Sequence, residues 1–87
     1  MKLYHRTSTD NLESIMEKGL IPNRIGIVYL SPVTDAGFGE ALLEVETGDN
    51  RLTAFDECKE WEVLCWGPIP PENIKILDAA PGRKEKE

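Results

Sequence analysis

Basic charge is what this sequence has least of. Its 87 residues carry 10 Lys and Arg against 16 Asp and Glu, a formal charge of −6, with a pI near 4.7. Nonspecific nucleic-acid binding relies on Lys and Arg displacing counterions from phosphates, and no basic stripe is present to do this. Nucleic acid and anionic lipid are therefore disfavoured as partners, although a compact cationic pocket for a single phosphate stays open. Histidine is scarce too. His5 stands alone, and Cys58 and Cys65 follow no zinc-ligand spacing, so no metal centre is expected and both thiols read as free. Long apolar runs are missing: nothing approaches the roughly 18 residues of a membrane span. The start, Met1-Lys2-Leu3-Tyr4-His5-Arg6, enters a strand-like pattern without the apolar stretch of a signal peptide, which gives an expected cytoplasmic address.

What is present reads as one small α+β domain over residues 1–78, followed by a charged tail, 79–87, expected to be disordered. Leu3–Thr7 has the aromatic and β-branched content of a first strand. Asp10, with Glu13 three residues on, fits a capping box opening a helix, in which Leu12, Ile15 and Met16 share one face. Gly19 is the expected stop. Gly26–Ser31 reads as a strand buried on both faces, Thr34–Glu40 as one helical turn, and Ala41–Thr47 as a third strand. Gly48-Asp49-Asn50 is a turn, and Arg51–Glu60 is loop or short helix with Leu52 and Phe55 expected inside. Trp61–Trp66 and Ile74–Leu77 read as the last two strands, on either side of a rigid Ile69-Pro70-Pro71-Glu72-Asn73 turn. The sheet is expected to be mostly antiparallel, with one main helix.

A few residues stand out as chemistry. His5 and Thr7, two apart on a strand, share a face and together offer donors and acceptors to a ribose or an amide; the plainer reading is a hydrogen-bonded structural histidine. Tyr29 and Ser31 repeat that spacing. There the phenol ring is either core or an aromatic wall for a planar ligand. Glu60 and Glu62 alternate with Trp61 and Val63, and are either a wet strand face or carboxylates aimed into a site. A carboxylate so placed can stabilise an oxocarbenium-like transition state. Glu44 and Glu46 alternate likewise and read as solvated face.

Three blocks, in order, resemble the ADP-ribosyltransferase superfamily. Leu3-Tyr4-His5-Arg6-Thr7, continued through Asn11-Leu12 and Ile15-Met16 to Gly19-Leu20, is similar to the opening block of poly(ADP-ribose) polymerase catalytic cores. Gly26-Ile27-Val28-Tyr29-Leu30-Ser31 resembles the superfamily's Gly-x-Tyr-apolar-Ser segment, with one extra residue after the glycine. Trp61-Glu62-Val63-Leu64-Cys65 with Ile69-Pro70-Pro71-Glu72-Asn73-Ile74 resembles the Glu-bearing strand and the Ile-Pro-Pro-Glu turn of DNA ADP-ribosyltransferase toxins and RNA 2′-phosphotransferases.

The resemblance implies a minimal split β-sheet and a His-Tyr-Glu triad of His5, Tyr29 and Glu62, with Glu60 competing for the glutamate's place. It implies NAD⁺ as substrate. His5, Arg6, Thr7, Tyr29, Ser31 and Phe38 would hold the dinucleotide, with Phe38 facing Tyr29 across the nicotinamide. The implied activity is mono-ADP-ribosyl transfer or NAD⁺ glycohydrolysis, the alternative being a non-catalytic module that binds NAD⁺, ADP-ribose or a protein. Should transfer occur, the charge balance, not the resemblance, gives a protein or a small molecule as the expected acceptor, with a protein also a candidate partner. Two features depart from the pattern: Arg6 replaces the small residue common after the histidine, and only Arg6 and Arg24 lie near the motifs, where 2′-phosphotransferases use several arginines.

Overall fold

A computed structural model describes residues 1–79, so the expected tail lies outside the described residues except for Ala79, which ends a strand. Strand β1 (Lys2–Thr7) leads through a 3-10 turn (Thr9–Asn11) into helix α1 (Leu12–Lys18). Strands β2 (Ile27–Leu30), β3 (Ala41–Glu46), β4 (Arg51–Thr53) and β5 (Val63–Trp66) follow, then a second 3-10 turn (Pro71–Asn73) and β6 (Ile74–Ala79). The strands form two three-stranded sheets, ordered β1-β3-β6 and β2-β5-β4, with every pairing antiparallel. This is the expected α+β class, a split antiparallel architecture with one helix.

The two sheets meet at a narrow seam. Tyr4 and Ser31 exchange two backbone hydrogen bonds, Tyr4 N to Ser31 O at 2.7 Å and Ser31 N to Tyr4 O at 2.8 Å. Behind the seam both sheets share one core: Leu3, Leu43, Val45 and Ile74 from the first meet Val28, Leu30 and Cys65 from the second. Ile15 of α1, Leu20 and Ile69 close it. Burial of such side chains, at roughly 1.5–3 kcal/mol each, holds the halves together far more than two hydrogen bonds can. Among the described residues no helix is long and apolar enough to cross a membrane.

Several local expectations are corrected. Ser8, not Asp10, caps the first turn, its Oγ accepting from Asp10 N, because the chain tightens into a 3-10 turn before α1 begins. Thr34–Glu40 holds no helical turn: Gly37 and Gly39 both take positive φ, which breaks any helical run. Residues 51–53 are neither loop nor helix but a short edge strand on β5, with Arg51 stacked over the Trp66 ring at 4.7 Å. Phe55 is 55% exposed, and Leu52 is only partly buried. Trp61 and Glu62 precede β5, so the shared strand face expected for Glu60 and Glu62 does not exist. β2 is not buried on both faces either, because Tyr29 turns outward and is 48% exposed.

Candidate functional site

The two sheets bring separate motifs together. In β1, Leu3, His5 and Thr7 share one face, opposite Val45, Leu43 and Ala41 of β3. His5 lies at the margin of this face, beside the seam. Its Nδ1–H donates to the backbone carbonyl of Tyr29 at 2.9 Å, crossing from one sheet to the other. This bond selects the tautomer: with the proton on Nδ1, the Nε2 of the neutral ring is an acceptor.

Around this contact opens a cleft of about 630 Å³, within the usual size of a small-molecule site. His5, Tyr29, Ser31, Phe38 and Glu62 line it, with Arg6 at its edge. Tyr4 and Trp61 complete the aromatic lining, and neither was singled out as a candidate from the sequence. The signal for Trp61 was available: it is an aromatic residue next to the candidate glutamate. Tyr4 was harder to find, because alternation along β1 sends it to the face opposite His5.

Some candidates fall elsewhere. Glu60 is exposed and outside the cleft lining, whereas Glu62 is half-buried on its wall. Glu62 is held there by its backbone N–H, which donates to Cys58 O at 2.8 Å, while Trp61 N donates to the same carbonyl at 3.0 Å. Thr7 is buried outside the cleft, its Oγ1 accepting from Asn11 Nδ2 at 2.9 Å. The Ser31 hydroxyl accepts from Val33 N at 3.1 Å, which fixes the turn after β2. Arg6 leaves β1 on the face opposite His5 and donates to two carbonyls of the following loop, Thr34 O and Gly39 O. Phe38 is 93% exposed. In the turn before Glu62, desolvation and then the negative charges of Glu62 and Glu57 push the Cys58 thiol above its ordinary range.

The arrangement pairs an aromatic wall with an imidazole acceptor and a carboxylate, the groups needed to seat a planar ring and to bond sugar hydroxyls. No family model matches the chain. The chain is similar to a protein of Archaeoglobus fulgidus named Probable RNA 2′-phosphotransferase 2, being 31% identical over 88 aligned positions that take in 92% of this chain. It spans 41% of that protein's length.

Proposed function

We propose that the protein binds NAD⁺ in this cleft and cleaves the nicotinamide–ribose bond, as a mono-ADP-ribosyltransferase or NAD⁺ glycohydrolase. The observation that carries the reading is the His5–Tyr29 hydrogen bond, which fixes the imidazole beside an outward aromatic ring in the cleft that Glu62 lines. In this reading Nε2 of His5 accepts from a ribose hydroxyl of the adenosine half. The Tyr29 ring stacks on the nicotinamide, with Phe38 on its other side and Ser31 shaping the floor. Glu62 accepts from the 2′-hydroxyl of the nicotinamide ribose. When the C–N bond breaks, its electron pair leaves with nicotinamide and the ribose becomes cationic at C1′. The Glu62 carboxylate stabilises that charge until water or an acceptor attacks C1′ and loses a proton. Thr7, bonded to Asn11, steadies the end of β1 from behind.

The activity named for the archaeal relative, transfer involving an RNA 2′-phosphate, stands behind this reading. It needs phosphate ligands, whereas Arg6 is engaged by loop carbonyls and Arg24 is exposed outside the cleft. A second reading is a module that binds NAD⁺ or ADP-ribose without turnover. Titration calorimetry with NAD⁺ alongside a nicotinamide-release assay separates the two, since the module binds and releases nothing.

The deciding variant is Glu62→Gln. Nicotinamide release is expected to fall about 100-fold or more, while NAD⁺ affinity changes less than about threefold, because the carboxylate acts mainly in the transition state. Undiminished release would remove Glu62 from the mechanism. Retained release there, with loss in Glu60→Gln, would move the role to Glu60.

A further inference from the structure

The segment between β2 and β3 carries Phe38 to the cleft, yet little in that segment holds it. Phe38 is 93% exposed, so its own packing does not set where the ring sits. The glycines on either side have φ of +91° and +126°, conformations in which the backbone is least restrained by side chains. Gly39 backs onto the Thr7 carbonyl so closely that a Cβ there would collide with it, which fixes one end of the loop against β1. Just beyond the loop Thr9 N donates to Glu40 Oε1 at 3.2 Å, and on the loop itself Arg6 is a second tie. Its Nε donates to Thr34 O at 3.0 Å and its Nη1 to Gly39 O at 3.3 Å. One planar guanidinium therefore spans both ends of the loop, five residues apart in sequence. A lysine ammonium, a compact point charge on a flexible stem, does not reproduce that fork.

We propose that Arg6 is a positioning residue: it staples the ends of the 34–39 loop and so holds Phe38 opposite Tyr29, instead of serving as a phosphate ligand. The effect on ligand rests on the NAD⁺ reading above; the staple itself does not. The staple also gives a reason for a bulky arginine directly after His5. Its stem starts beside the loop, where a Cβ on Gly37 would lie 3.5 Å from Arg6 Cβ. The competing outcome is that a phosphate, which bonds a guanidinium more strongly than a neutral carbonyl does, takes Arg6 when ligand enters.

The test compares wild type, Arg6→Lys, Phe38→Ala and the double variant. Backbone ¹⁵N relaxation is measured without ligand, and affinity is measured for NAD⁺ and for nicotinamide riboside, which lacks phosphate. In Arg6→Lys the order parameters of residues 35–39 are expected to drop from about 0.85 to below about 0.6, with strand amides unchanged. NAD⁺ and nicotinamide riboside are expected to weaken by the same factor, about 3- to 10-fold. Adding Arg6→Lys to Phe38→Ala is expected to weaken binding no further, since both act through one ring. Unchanged loop order in Arg6→Lys would overturn the proposal, as would a loss confined to NAD⁺, which marks a phosphate contact. If wild type binds neither compound the NAD⁺ reading falls, and the relaxation comparison alone then upholds or rejects the staple.

Discussion

Glu62 reaches the cleft on a turn, and this changes what surrounds it. Cys58 sits at the centre of that turn, accepting the Trp61 and Glu62 N–H groups on its carbonyl. Its thiol is raised first by desolvation and then by the Glu62 and Glu57 charges, because neighbouring negative charge disfavours the thiolate. At mildly alkaline pH Cys58 is therefore expected to react slowly with iodoacetamide. Glu62→Gln removes one negative neighbour, lowers the thiol's pKa and is expected to speed alkylation about 2- to 5-fold. Mass spectrometry of the modified peptide checks this, with buried Cys65 unlabelled as an internal control. An equal rate in both proteins would mean that the Glu62 charge does not act on the thiol. At this scale the sequence was informative about residue type and less so about direction. His5, Tyr29 and Glu62 were brought forward by the family resemblance, with composition leaving a structural histidine and a core tyrosine as the plainer readings, and all three line one cleft. The aim of Glu60 could not be read, because alternation fixes faces only within a strand and β5 begins after Glu62; Thr7 shares the His5 face, but its hydroxyl is taken by Asn11.

At the scale of elements, the most legible feature was the end of α1. Gly19 has φ +85°, and a Cβ on it would collide with the Ile69 carbonyl, the same group that accepts from Leu20 N at 2.9 Å. The return Ile69 N to Leu20 O bond, at 3.1 Å, completes a bridge tying the helix to the Pro-rich turn before β6. Gly19→Ala is expected to lower stability by about 2 kcal/mol or more, through backbone strain and disruption of that bridge. A urea titration followed by far-ultraviolet circular dichroism measures it, and an unshifted midpoint would show that the bridge yields without cost. The strands that carry continuous apolar runs were also legible, since burial dictates their composition. β4 was not, because three residues lack a periodic signal and gain their order from pairing with β5 and from Arg51 over Trp66. The Phe38 loop was misread for a related reason: its shape comes from two positive-φ glycines and from Arg6, a residue 28 positions away from Thr34.

For the molecule as a whole, charge bears on the acceptor. A net charge of −6 disfavours polyanions, and Lys2, Arg6, Lys18, Arg24, Arg51, Lys59 and Lys75 are scattered along the sequence. If transfer occurs, a protein or small-molecule acceptor is expected over duplex nucleic acid. Incubation with labelled NAD⁺ and either cell proteins or mixed oligonucleotides checks this. Label on the oligonucleotides alone would reverse the expectation. The seam between the sheets has another use. The imidazole belongs to one half of the molecule and the carbonyl that receives its proton to the other. Because the chain contains a single histidine, its ring nitrogens give one pair of magnetic resonance signals that needs no assignment. Those signals make His5 a gauge of the gap between the halves, readable in uniformly ¹⁵N-enriched protein as ligand or temperature changes.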